Sequence, residues 1–143
     1  MVSEKPYEVR AWIFLFASSA ILVIYSLLFL YFLLTSPSST GKTWEEITAF
    51  SPGLASLLNL TIALSGAAML GLGIFGMVIA RISYRRAERW AWFALWYLVI
   101  FTVMGIVVDF STSGSVAFTF IIISLLAISG QLLAYRKFFY KHS

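Results

Sequence analysis

Residues 81–92 read Arg-Ile-Ser-Tyr-Arg-Arg-Ala-Glu-Arg-Trp-Ala-Trp, and this run of four arginines and one glutamate separates two long apolar stretches. An arginine at the centre of a hydrocarbon layer costs about 2.5–3.5 kcal/mol even on a lenient insertion scale. If the flanking stretches belong in a bilayer, the chain must surface here. The run is therefore expected to be the hinge of a membrane hairpin.

Composition supports that premise. The 143 residues are 61% hydrophobic, whereas a soluble domain has roughly 45–50%. A bilayer crossing takes about 20 apolar residues. The length accommodates four crossings with short connections, at about residues 10–34, 52–80, 90–109 and 116–135, as a single transmembrane domain over 1–143. The expected fold class is all-α: an integral membrane, antiparallel four-helix bundle with a short interfacial helix in the first outer loop.

The same composition excludes several chemistries. There is no cysteine, which removes thiolate nucleophiles, disulfide exchange, iron–sulfur ligation and covalent haem attachment. The four-helix thiol oxidoreductases of membranes are ruled out with them. The one histidine, His142, cannot supply paired axial ligands or a multi-histidine metal site. No metal site and no cofactor are expected. The net charge of +4 is carried by residues beside the apolar stretches, where topology and anionic lipid account for it better than nucleic acid.

Taken in order, Met1–Val9 forms a polar lead with Pro6 as a helix breaker, and Arg10 opens the first span. A signal peptide also starts positive, but its apolar region is only about 7–15 residues long. A retained helix is expected instead. Residues 35–42, Thr-Ser-Pro-Ser-Ser-Thr-Gly-Lys, form a loop. Thr43-Trp44-Glu45-Glu46 then reads as a capping box in which the Thr43 hydroxyl accepts from the Glu46 amide and the Glu46 carboxylate reaches back. Trp44, Ile47 and Phe50 share one face of the resulting turns. That suits either an interfacial helix or an ordered loop with a tryptophan anchor.

Ser51-Pro52 is a start signal for the second span. This span holds steps of small residues, notably Ala63, Ala67, Gly71 and Gly76, expected to mediate close helix packing or association between chains, of the same or another kind. Asn59-Leu-Thr matches a glycosylation acceptor but lies within the apolar span. Beyond the hinge, Trp90, Trp92, Trp96 and Tyr97 suggest an aromatic girdle. Arg81, Arg85, Arg86, Arg89, Trp90 and Trp92 are the expected membrane-surface anchors, with anionic headgroups as partners. Ser124 and Gln131, one heptad apart, give the fourth span a polar face suited to holding helices together.

The basic residues Lys5, Arg10, Arg81, Arg85, Arg86, Arg89, Arg136, Lys137 and Lys141 fall on one side of such a bundle, and Lys42 alone on the other. The positive-inside rule then places both termini and the hinge in the cytoplasm of a cell-membrane protein.

The stretch Tyr84-Arg85-Arg86-Ala87-Glu88-Arg89-Trp90-Ala91-Trp92 resembles a pattern in small uncharacterised four-span membrane proteins of bacteria and archaea. In these, a glycine-rich second helix leads through a basic turn into a tryptophan-rich third helix. The likeness covers about the middle third of the chain and has glycine where Ala87 stands here. It implies a fold and a membrane location and carries over no catalytic residue.

Polar groups inside the spans are the remaining candidates for function. Asp109, with Thr102 and Gly105 before it on the same helix face and Asn59 at similar depth on the second span, outlines a speculative outward-facing ligand notch. Asp109 could pair with Lys42, or hold a cation or headgroup. With no nucleophile–base pair, metal cluster or phosphate loop, no catalytic residue is expected and an enzyme is the least favoured class. The reading is a non-enzymatic accessory or packing subunit, or a binder of lipid or another apolar ligand. The alternative is a small proton- or ion-coupled transporter using Asp109.

Overall fold

The computed structural model describes residues 6–35, 43–112 and 117–139. Of these residues 94% are helical, and none is in a strand. The elements are α1 (Pro6–Thr35), α2 (Trp44–Phe50), α3 (Pro52–Ile79), a π-helical turn (Ala80–Tyr84), α4 (Arg89–Ala94), α5 (Trp96–Thr112) and α6 (Ala117–Phe139). Four stretches are long and apolar enough to cross a membrane: Arg10–Leu33, Pro52–Tyr84, Arg89–Val108 and Phe118–Tyr135.

The first boundaries have local causes. Helix α1 starts at Pro6 rather than at Arg10, because proline's fixed φ and missing N–H suit the first helical position. The capping box before α2 is formed: Glu46 N–H donates to Thr43 Oγ1 at 3.3 Å, and Thr43 N–H to Glu46 Oε2 at 2.8 Å. Within α2 only Ile47 is buried, and Phe50 is 79% exposed. Ser51 ends α2 and caps α3, its hydroxyl accepting from the Leu54 amide at 3.3 Å.

The second long helix does not stop at Ala80. It continues through the π-helical turn to Tyr84 and closes there: the Ala87 amide donates to the Tyr84 carbonyl and the Glu88 amide to the Ser83 carbonyl, both at 3.0 Å. This is a Schellman closure with Ala87 at the left-handed position, φ 59°. Glycine adopts that conformation freely, and alanine does so at a cost. The third apolar stretch starts at Arg89 and is interrupted at Leu95, where ψ falls to −6° between α4 and α5.

The chain forms two compact units, described separately: residues 22–72, and residues 1–21 together with 73–143. In the second, the third and fourth apolar stretches run antiparallel, since Trp92 meets Gln131, Thr102 meets Ser124 and Gly105 meets Phe120. Helix α1 reaches α6 at Gly130, where an added Cβ would lie 2.8 Å from Leu15 Cγ and 3.2 Å from the Ala11 carbonyl oxygen. It reaches α3 at Gly76, where an added Cβ would lie 2.5 Å from both Ser19 Oγ and the Tyr97 hydroxyl.

Candidate functional site

The hinge divides its side chains by burial. Ala80, Ser83 and Tyr84 are buried, while Arg81, Ile82, Arg85 and Arg86 are exposed. A π-helical turn inserts an extra residue per hydrogen-bonded loop, and here it lets the apolar face stay inward while the guanidiniums stand together outside. Those four exposed residues line a depression with a volume of about 360 Å³.

Tyr84 anchors the turn from below. Its side chain is 1% exposed, its hydroxyl donates to the Gly130 carbonyl at 2.8 Å and lies 3.4 Å from Gln131 Oε1. Its ring packs on Phe138 with centroids 4.7 Å apart. Gln131 is fully buried and faces Trp92 reciprocally: Gln131 Nε2 donates to the Trp92 carbonyl at 3.1 Å, and Trp92 Nε1 to the Gln131 carbonyl at 3.3 Å. A buried amide left unpaired would cost more than its bonds contribute, so this knot fixes the hinge against α6.

The charges above the knot are arranged around it. Arg85 lies over the Trp12 ring, 5.7 Å from its centroid, an attraction worth about 0.5–1 kcal/mol at an exposed site. The Glu88 carboxylate accepts from the Trp90 indole at 2.8 Å and does not line the depression. Arg89 and Trp90 are exposed at the start of α4. Trp92, expected as a surface anchor, is half-buried, with Trp96 and Phe139 edge-to-face at 5.6 and 5.1 Å. Its indole N–H has a partner in α6, which draws it inward.

The residues expected to outline the outward notch are placed as follows. Thr102 is fully buried, donates to the Leu98 carbonyl at 2.7 Å and lies 2.5 Å from the Ser124 hydroxyl. Gly105 faces the Phe120 ring, 3.2 Å from where a Cβ would stand. Both are thus engaged with α6. Asn59 is exposed on α3, in the other unit. The Asp109 side chain and Lys42 lie outside the described residues, as does their proposed pairing. Among the described residues there is no group of three or more His, Cys, Asp or Glu side chains able to hold a metal.

The small-residue steps also divide. Gly76 is closely covered, whereas an added Cβ at Gly71 would meet no atom of the described residues within 4 Å. Ala63 is half-buried and Ala67 exposed. The four residues do not share one packed face, because four-residue steps overshoot the 3.6-residue turn and drift around the helix. The roles of Tyr84, Trp12 and Gly130 were missed by sequence reasoning. A tyrosine among arginines, and a glycine beside the fourth span's amide, were the available signals.

Comparison of the chain with protein-family models, with curated proteins and with solved structures finds no match. The resemblance of the hinge segment to other small membrane proteins therefore rests on its residues alone.

Proposed function

We propose that this chain is a multi-pass integral membrane protein that crosses the bilayer four times as an antiparallel bundle and acts by binding rather than by catalysis, as an accessory subunit or lipid binder. One observation carries the reading: polar side chains deep in the apolar helices are committed to internal hydrogen bonds, while the cationic side chains gather on the hinge. Ser18 and Ser19 both donate to the Leu15 carbonyl at 2.9 Å, and Ser26 donates to the Val23 carbonyl at 2.8 Å. Thr102 engages Ser124, and Gln131 engages Trp92. Such bonds are the usual glue of membrane helices.

The 33-residue apolar stretch Pro52–Tyr84 supports the membrane assignment. At 1.5 Å per residue it extends about 50 Å, enough to cross a hydrocarbon core of about 30 Å with its arginine-bearing end at the headgroups. The positive-inside rule then puts the hinge and both termini in the cytoplasm. Extraction from native membranes in mild detergent tests the function. The chain should leave with a stoichiometric membrane component, either lipid or a second polypeptide, and a lone lipid-free chain would overturn the reading. For the orientation, cysteines placed at Ala87 and Ser39 should be protected and labelled, respectively, in intact cells. The reverse pattern would invert the topology.

A further inference from the structure

The end of α6 meets both arms of the hinge at once. Phe138, 3% exposed, packs on the Tyr84 ring with centroids 4.7 Å apart. Its neighbour Phe139 stands edge-to-face against Trp92 at 5.1 Å and Phe93 at 6.0 Å, and Tyr135, one turn earlier, lies 6.0 Å from Trp92. Tyr84 ends the arm that enters the hinge, and Trp92 and Phe93 belong to α4, the arm that leaves it. Adjacent side chains on a helix point about 100° apart, which lets two consecutive phenylalanines reach two different arms.

The turn that these rings close is not a relaxed one. Ala87 holds φ 59°, which an L-residue adopts at a cost. Ala80–Tyr84 is π-helical, and π bonding takes one residue more per loop than α bonding. In an α register the residues after this turn would be rotated by about 100°, the angle of one residue. That rotation takes Tyr84 off Phe138 and Arg85 from its place over the Trp12 ring. A left-handed alanine persists only where its surroundings over-determine it. Here α6 supplies them: the Gly130 carbonyl accepts from Tyr84 at 2.8 Å, Gln131 bonds Trp92 in both directions, and Phe138 and Phe139 cover the two arms.

We propose that the C-terminal turn of α6 is a strap that holds the basic hinge closed, and that its withdrawal opens residues 80–92 while the rest of α5 stays packed. The strap goes beyond the binding reading above and needs neither a lipid nor a second chain. In the closed state Tyr84 is buried and Arg85 sits over Trp12. In the open state Ala87 relaxes and the arginines leave their fixed positions. Further along, α5 is held to α6 by separate contacts, Thr102 with Ser124 and Gly105 with Phe120, which do not involve the strap. The hinge is thus a two-state element, and the placement of Phe138 and Phe139 selects between its states.

Amide hydrogen exchange of the full chain in detergent, read separately over residues 80–92 and 98–108, tests this, because exchange follows the population of locally opened states. Phe138→Ala deletes a buried ring and should speed exchange in 80–92 by about tenfold or more, leaving 98–108 within a factor of about two. Leu132→Ala, on α6 but 65% exposed, should change neither segment. Ala87→Gly added to Phe138→Ala removes the left-handed cost and should slow exchange in 80–92 again, by about threefold. Should Phe138→Ala fail to fold, Tyr84→Phe keeps the ring and removes only the bond to Gly130, and exchange about threefold faster and confined to 80–92 is expected. Unchanged exchange in 80–92 overturns the strap. Equal acceleration of both segments also overturns it, since the rings would then serve the stability of the whole unit. Faster exchange on adding Ala87→Gly would remove the strained turn as the source of opening and overturn the proposal with it. A solitary, lipid-free chain with this exchange pattern defeats the functional reading and leaves the strap standing.

Discussion

The two units solve helix packing differently. In residues 1–21 with 73–143, side-chain hydrogen bonds cross between elements: Tyr84 to Gly130, Gln131 to Trp92, Thr102 to Ser124. Those described in residues 22–72 lie within a turn or a cap, Ser26 to Val23, Thr48 to Trp44, Thr61 to Leu57 and the Thr43–Glu46 box, and Tyr25, Phe50 and Leu72 have further partners. Close approaches at glycine occur in both units: Gly130 and Gly76 lie against the Ala11 carbonyl, Leu15, Ser19 and Tyr97, and buried Gly66 lies against Leu30, whereas an added Cβ at Gly71 or Gly53 would meet no described atom within 4 Å. A polar bond between helices in an apolar surrounding is directional and tolerates little displacement, so such bonds hold residues 1–21 and 73–143 to one packing. The bonds named in residues 22–72 would form equally well in an isolated helix, and there the close contact is apolar, Gly66 on Leu30.

Gly130 offers the most severe challenge to this contrast. Gly130→Ala places a methyl group 2.8 Å from Leu15 Cγ and 3.2 Å from a backbone oxygen, and the backbone oxygen cannot swing away. The expected cost is about 1–3 kcal/mol, the usual range for overpacking, read from thermal or denaturant unfolding in detergent. The carbonyl that receives Tyr84 would also move, so the near-ultraviolet signal of the hinge aromatics should change with it. Unaltered stability would mean that the close approach of α1 and α6 does not determine how residues 1–21 and 73–143 pack.

The units also differ in how their helices end. Thr43 and Ser51 start α2 and α3 with side-chain caps, whereas the hinge closes on an alanine with φ 59°. Left-handed backbone costs an L-residue about 1–2 kcal/mol, and glycine forfeits about 0.4–1 kcal/mol of that advantage through its freer unfolded chain. Ala87→Gly is therefore expected to raise stability by about 0.5–1 kcal/mol. A loss of stability would show that the turn is not strained as its dihedral implies.

How much of this was legible in the sequence follows the range of the interaction. The Thr43–Glu46 box and the Ser51-Pro52 start were readable because their partners lie within four residues, and the structure has both. The four apolar stretches were readable from hydrophobicity summed over many residues, which is insensitive to detail. The extension of the second helix to Tyr84 was not, because the contacts of Tyr84 with α6 lie 46 residues away in sequence. Thr102 and Gly105 shared a face with Asp109 as read, but which neighbour that face meets is a tertiary fact, and Ser124 and Phe120 supply it. The glycine of the resembling pattern at the place of Ala87 was the one sequence hint of a left-handed residue, and φ there is positive.

The smallest expected effect sharpens the comparison most. Gly71 was expected from its four-residue step with Ala63 and Ala67 to pack against a neighbour, yet it is exposed, with no atom of the described residues within 4 Å of an added Cβ. Gly71→Leu should therefore change unfolding in detergent by less than about 0.5 kcal/mol, the range of substitutions away from contacts. The loss of a glycine from a helix interior acts in the favourable direction by a similar amount. A cost of about 1–3 kcal/mol would require something against this face. Repeating the measurement across a range of protein-to-detergent ratios identifies it, since a second chain gives a cost that fades on dilution and a neighbour within the chain does not. A constant cost would mean that residues 22–72 pack as closely as the rest, and the contrast between the two units would fail.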